Sequence, residues 1–214
     1  MHKLVHLLAT LEITKQMPRY GWAFSGMKED DMDDLAQHHY AVTVFCLLVG
    51  WQLQERGVPI NLEKLLTLAL LHDVGELFGG DIATPLGLQN PQAKAASRMI
   101  EDTTIEFLAK LPGDQELAKK FIQACQEERG QQSLEAQIIK IIDRLEAQLH
   151  FELARQPEEY TNVDRQLFDK ILYEPLDKVS DPIAKQYLKE LVGETISRIL
   201  DKSLRRYHFL REDA

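Results

Sequence analysis

The run QHHYAVTVFCLLVGWQLQ, residues 37–54, carries no charged side chain. Its ends are polar, and its apolar centre falls short of the roughly 20 residues that a bilayer-spanning helix needs. A helix apolar around most of its circumference has to be surrounded by other elements. The run therefore predicts a buried helix, about residues 32–55.

The rest of the chain offers helices to surround it. Val5, Leu8, Leu11 and Ile13 recur at helical spacing within residues 2–16, and Leu62, Leu65, Leu66, Ala69 and Leu70 do so behind Asn61, a residue suited to an N-cap. Asn90 and Pro91 open a helix to about Leu111, another covers about 114–128, and Ser133 precedes EAQIIKIIDRLEAQLHFELA. Two more helices are predicted at 163–173 and 181–207. Pro and Gly mark MPRYGWAFSGMKEDD and FGGDIATPLGLQNP as loops, the second long enough to suggest function. No alternating strand pattern, internal repeat or low-complexity tract is present. The expected fold is all-α, a single-domain helical bundle over residues 1–214.

A net charge of −9 excludes a broad electrostatic grip on a nucleic acid polymer. A small anionic substrate would instead need local cations or a metal. Two cysteines, Cys46 and Cys125, make no disulfide framework, and the N-terminus lacks a cleavage-like site. These features predict a cytoplasmic protein without a membrane span.

LLHDVGELFGGD, residues 70–81, ends an aliphatic helix in ionisable groups and glycines. At a helix C-terminus, His72 and Asp73 can lean toward one point beside free carbonyls that favour a cation, with Gly75 ending the helix. Taken alone, the pair reads far more readily as a histidine on the helix dipole and an exposed aspartate. Asp143 lies among Ile138, Ile139, Ile141, Ile142 and Leu145, where a carboxylate needs a positive partner: Lys140, Arg144 or a metal. His38 and His39 open the uncharged helix, as ligands or as core residues. Two imidazoles and two carboxylates suit one divalent ion, whether Mn, Co, Ni, Fe, Zn or Mg, with positions open for water. No cysteine takes part in this set, which speaks against a structural zinc site.

These residues resemble the HD-domain metal-dependent phosphohydrolases. More narrowly, His72, Asp73, Glu76, Gly80, Asp81, Thr84 and Pro85 resemble the pattern of bacterial 5′-deoxynucleotidases and their eukaryotic relatives. The resemblance covers about residues 18–150 and leaves the helices of 151–214 without an assigned role. It implies one metal held by His38, His72, Asp73 and Asp143. The first histidine of such sites sits in an EHS-like triplet; here the triplet is QHH, so His38 is the ligand in register, His39 takes the serine place, and either imidazole is open. Gln37 replaces a glutamate whose charge would tune the metal.

The resemblance further implies an Arg-Trp pair for phosphate and sugar; Arg19 and Tyr20 stand there, with Trp22 close by. Glu76 would act as general acid or base and Asp81 would receive the sugar hydroxyl, with Gly79 and Gly80 turning the backbone toward the pocket. The expected activity is release of phosphate from nucleoside 5′-monophosphates by a homodimer. Alternatives are a metal- or nucleotide-binding regulatory module without turnover, and a phosphodiesterase or guanosine-polyphosphate hydrolase on the same fold. The latter is disfavoured because no histidine lies between Val74 and Ile142. Glu135 reads as a neighbour of the site, and Arg98 with Glu101 as a surface helical pair.

Overall fold

A computed structural model describes residues 3–79, 84–153, 170–200 and Leu204. Among these residues, regular structure is helical apart from one isolated antiparallel bridge between Pro18 and Asp34. The α-helices are α1 (Leu4–Leu11), α2 (Leu35–Glu55), α3 (Leu62–Leu71), α4 (Thr84–Gln89), α5 (Pro91–Lys110), α6 (Gln115–Gly130), α7 (Leu134–Leu153) and α8 (Pro182–Leu200). The predicted helix at 2–16 tightens into a 3-10 segment at Glu12–Gln16. The stretch expected as a long loop contains α4, and MPRYGWAFSGMKEDD contains 3-10 turns at Tyr20–Ser25 and Glu29–Asp31. Most of the helix expected at 163–173, and the extension of α8 beyond Leu200, lie outside the described residues.

Helix starts follow their caps. Asp34 Oδ1 accepts the Gln37 amide at 2.7 Å, while Gln37 Oε1 accepts the Asp34 amide at 3.2 Å. This reciprocal box satisfies two otherwise free donors. It gives Gln37 an exposed structural role at the helix start. Asn61 caps α3 as predicted, and Asn90 caps α5 through the amides of Gln92 and Ala93.

The uncharged tract is the central helix, and α3, α7 and α8 pack against it. In α7, Ile138, Ile139, Ile141 and Ile142 are all fully buried with Val42, Cys46, Leu53, Leu65 and Leu188. Each such side chain stabilises the fold by about 1.5–3 kcal/mol through removal from water. A second cluster joins Leu7, Val74, Leu77, Ile105, Leu108 and Cys125 beneath α5.

Helix α3 stops earlier than expected. His72 is the C-cap, and the chain re-tightens into a 3-10 turn at Val74–Leu77. Gly75 does not adopt a left-handed conformation. It is buried where α5 crosses, and a Cβ there would stand 3.1 Å from Glu101 Cβ and 3.3 Å from its carbonyl oxygen. Close helix approach, not helix termination, requires this glycine. Gly79 is alike: a Cβ would meet Ile100 Cγ2 at 2.4 Å. Gly79, in a turn as expected, is also constrained by packing, and Gly80 lies outside the described residues.

Candidate metal and phosphate site

His38, His72, Asp73 and Asp143 each offer one ligand atom, and these atoms all lie within 4.8 Å of one another. Three chain segments supply them. His38 comes from the first turn of α2, His72 and Asp73 from the end of α3, and Asp143 from the middle of α7. Asp73 leaves the helical conformation, with φ −111° and ψ 14°, so its carboxylate can turn back toward the point that His72 faces.

Outer hydrogen bonds set the two imidazoles. His72 Nδ1 donates to the Ala69 carbonyl at 2.8 Å, filling one of the free carbonyls of the last turn of α3. His38 Nδ1 meets Glu146 Oε2 at 2.6 Å, with both side chains buried. A carbonyl can only accept, so the His72 proton is on Nδ1, and the Glu146 carboxylate draws the His38 proton to the same position. With one proton each, both rings turn an Nε2 lone pair inward, and the two nitrogens are 3.1 Å apart. Around them stand Asp143 Oδ1, 3.3 Å from His38 Nε2, and Asp73 Oδ2, 3.5 Å from His38 Nε2 and 3.3 Å from His72 Nε2. Lone pairs and anionic oxygens this close demand a positive charge among them.

The titration behaviour agrees. Burial and the Arg19 charge oppose a proton on His38, yet hydrogen bonds to Asp143, Asp73 and Glu146 hold its pKa well above the ordinary histidine value. Burial disfavours ionised Asp73, but the His72 and His38 rings overcome it and keep the carboxyl well below its usual range. Asp143 is likewise held low against burial, chiefly by Lys140 and His38. The mixed nitrogen and carboxylate donor set, facing inward with its outer atoms already bonded, fits a divalent metal ion.

His39 stands apart from this cluster. Its ring packs 4.8 Å from that of His72, and its Nε2 finds no hydrogen-bond partner among the described residues. Burial, then the His72 charge, pushes its pKa down to about 3, so it remains neutral. Of the two adjacent imidazoles it is therefore His38 that reaches the other three donors.

Arg19 is placed by backbone pairing. Its amide bonds the Asp33 carbonyl at 3.0 Å, and the Leu35 amide bonds the Met17 carbonyl at 2.9 Å, tying this segment to the start of α2. The guanidinium is 12% exposed, 3.9 Å from Asp33 and 4.0 Å from Asp73 Oδ2. Tyr20 is 53% exposed beside it. Trp22 is turned inward: its indole N–H donates to Asp33 Oδ1 at 2.8 Å, and its ring stacks on Phe151. Glu76 follows His72 and Asp73 on the 3-10 turn, half-buried, its amide bonded to the Asp73 carbonyl at 2.9 Å. Asp81 lies outside the described residues.

Three acidic residues near the cluster were not anticipated as site residues. Glu146 and Asp33 flank the Nδ1 side of His38. Glu128 of α6, buried by its surroundings, has its pKa pushed up to about 7, mainly by desolvation, with Lys140 opposing and Asp73 adding to the rise. The legible signal for Glu146 was its spacing: Lys140, Asp143, Glu146 and His150 recur along one side of α7, and His150 bonds the Asp31 carbonyl at 3.1 Å. Glu135, expected beside the site, instead accepts the Asn61 amide at 3.0 Å and pairs with Lys64 at the start of α3. Glu101 pairs with Arg129 of α6 at 3.1 Å rather than with Arg98.

A helical bundle that converges His, His-Asp and Asp on one point defines the HD-domain class of metal-dependent phosphohydrolases. Within that class the chain belongs to the YfbR-like 5′-deoxynucleotidase family, whose profile matches residues 6–193. The 5′-deoxynucleotidase HDDC2 of Bos taurus is 27% identical over 92% of this chain and 87% of its own length. The zebrafish protein of that name, from Danio rerio, is 26% identical over 68% of this chain, which spans 66% of the relative. Among solved structures, a Pyrococcus horikoshii protein superposes with a TM-score of 0.66 at 22% identity, covering 91% of this chain and 99% of its own. A predicted metal-dependent phosphohydrolase from Magnetospirillum magnetotacticum gives a TM-score of 0.64 at 17% identity, over 92% of this chain and 95% of that one. Both show the same fold.

Proposed function

We propose that this chain releases phosphate from deoxynucleoside 5′-monophosphates, using one divalent cation held by His38, His72, Asp73 and Asp143. The observation that carries the reading is the pair of inward Nε2 atoms ringed by two carboxylates. Membership of the 5′-deoxynucleotidase family supports the substrate class. The ion would lower the pKa of a water and polarise a phosphoryl oxygen.

The protein's own residues do the rest. Arg19 anchors the phosphate, its planar fork matching two oxygens, while its distance from Asp73 keeps it beside the reacting group. Glu76, one short turn beyond Asp73, moves the proton between water and leaving oxygen. Asp81 receives the sugar hydroxyl, and Tyr20 borders the sugar from the solvent side. Glu146 and the Ala69 carbonyl hold the imidazoles in their inward tautomers.

The decisive experiment is a phosphate-release assay on a nucleoside monophosphate panel with dialysed protein, with and without Mn or Co. It includes Asp143→Ala and Glu76→Ala. The expected result is chelator-sensitive turnover, loss of metal in Asp143→Ala, and retained metal with lost rate in Glu76→Ala. Normal hydrolysis by both variants would end the assignment. Metal binding without turnover on any nucleotide would favour the regulatory module.

We further propose a cytoplasmic homodimer that binds no nucleic acid polymer. Support comes from two unpaired buried cysteines, the net charge of −9, and an uncharged outer face on α2 where Tyr40, Leu48 and Trp51 are exposed. Among the described residues no helix is long and apolar enough to cross a membrane. Light scattering on the purified protein tests the dimer.

A further inference from the structure

Asp143 presents its two oxygens to different partners. Oδ1 faces the cluster, 3.3 Å from His38 Nε2, while Oδ2 accepts a hydrogen bond from Lys140 Nζ at 2.7 Å. Lys140 precedes Asp143 by three residues on α7, so both side chains leave the same side of the helix. Its immediate neighbours Ile139 and Ile141 are fully buried, whereas the Lys140 side chain retains 28% exposure. The Lys140 stem is half-buried beside that packed face, and its ammonium reaches the Asp143 carboxylate. An ammonium only donates, so it competes directly with a cation for that oxygen.

We infer that Lys140 is a positioning residue that confines Asp143 to one donor oxygen. The inference rests on the metal reading proposed above. A free carboxylate can give a cation either one oxygen or both. With Oδ2 held by Lys140, Asp143 offers one donor atom, and the ligand atoms of His38, His72, Asp73 and Asp143 make a set of four. A six-coordinate ion held by those four would keep two positions, one for water and one for a phosphoryl oxygen, and a second Asp143 oxygen would take one of them. A lysine that looks like a simple countercharge therefore sets how much room the substrate has.

The test uses the full chain loaded with Co(II), whose visible absorption weakens as coordination number rises. Lys140→Met keeps the stem and removes the donors; Lys140→Arg restores a donor. Cobalt and inorganic phosphate affinities are read by calorimetry beside the spectrum. Lys140→Met is expected to bind cobalt with a weakened visible band as the second oxygen enters. It is also expected to bind phosphate about tenfold more weakly, the scale of effect seen when a partner of a metal ligand is lost. Lys140→Arg is expected to recover both. If Lys140→Met does not fold, Lys140→Leu, which also lacks a donor, carries the same comparison. A cobalt-loaded variant with the wild-type spectrum and phosphate affinity overturns the inference while leaving the metal site standing. A wild-type protein that takes up no cobalt overturns the metal reading itself.

Discussion

His38 and His72 face one another Nε2 to Nε2 across 3.1 Å, each with its far nitrogen engaged elsewhere. In the metal-free protein a proton on His38 relieves that opposition, because the surrounding carboxylates raise its pKa above the ordinary 6.5. A group with a raised folded-state pKa contributes stability fully below its unfolded pKa and loses it as pH rises through the folded value. A bound cation takes over the same place without needing the proton. The increase in melting temperature on adding Mn should therefore be larger at pH 8 than at pH 6. Equal increments at the two pH values would show that His38 and the ion do not compete.

Glu146→Gln should weaken metal binding by about 10–100-fold, since its carboxylate both fixes the His38 ring and raises the basicity of the inward nitrogen. The amide is nearly isosteric, so helical content should be unchanged by circular dichroism. Calorimetric affinity within twofold of the parent would remove Glu146 from the site.

Arg19→Ala should lower kcat/KM by about 10–100-fold, the equivalent of roughly 1.5–3 kcal/mol for a hydrogen bond to a charged group. The change should fall mainly on KM and on inhibition by inorganic phosphate. Metal content should stay at one ion per chain. Unchanged phosphate inhibition would mean that Arg19 serves only its neighbours Asp33 and Asp73.

Glu128 has its pKa pushed up to about 7 from 4.5, mainly by burial. The folded state then binds a proton that the unfolded chain releases, so stability falls as pH rises between those values. The full shift corresponds to about 3 kcal/mol. Glu128→Gln is neutral throughout and should flatten that decline in urea titrations between pH 4.5 and 7. An unaltered pH slope in the variant would place the ionisation elsewhere.

The helical class and the burial of residues 37–54 were legible because an uncharged, largely apolar run has few ways to avoid water. The four clustered side chains were legible because each breaks an apolar tract. What escaped was the set of partners around them. Glu146 and Asp33 come beside His38 only where α7 is laid against the start of α2. Gly75 and Gly79 were read as backbone freedom, yet α5 crossing over them decides both. Trp22 seemed available to a ligand, and only tertiary packing shows its indole committed to Asp33. Local spacing carries which residues are unusual; it does not carry which neighbouring helix satisfies them.

The two backbone bonds that fasten Met17 and Arg19 to Asp33 and Leu35 have a consequence for how such sites diversify. The excursion between them begins and ends at the foot of the helix that supplies His38. On the proposed reading, insertions or deletions within that excursion would reshape what Arg19 meets without shifting the four clustered side chains. Selection can thus retune what is accepted for hydrolysis and leave the hydrolytic apparatus as it was.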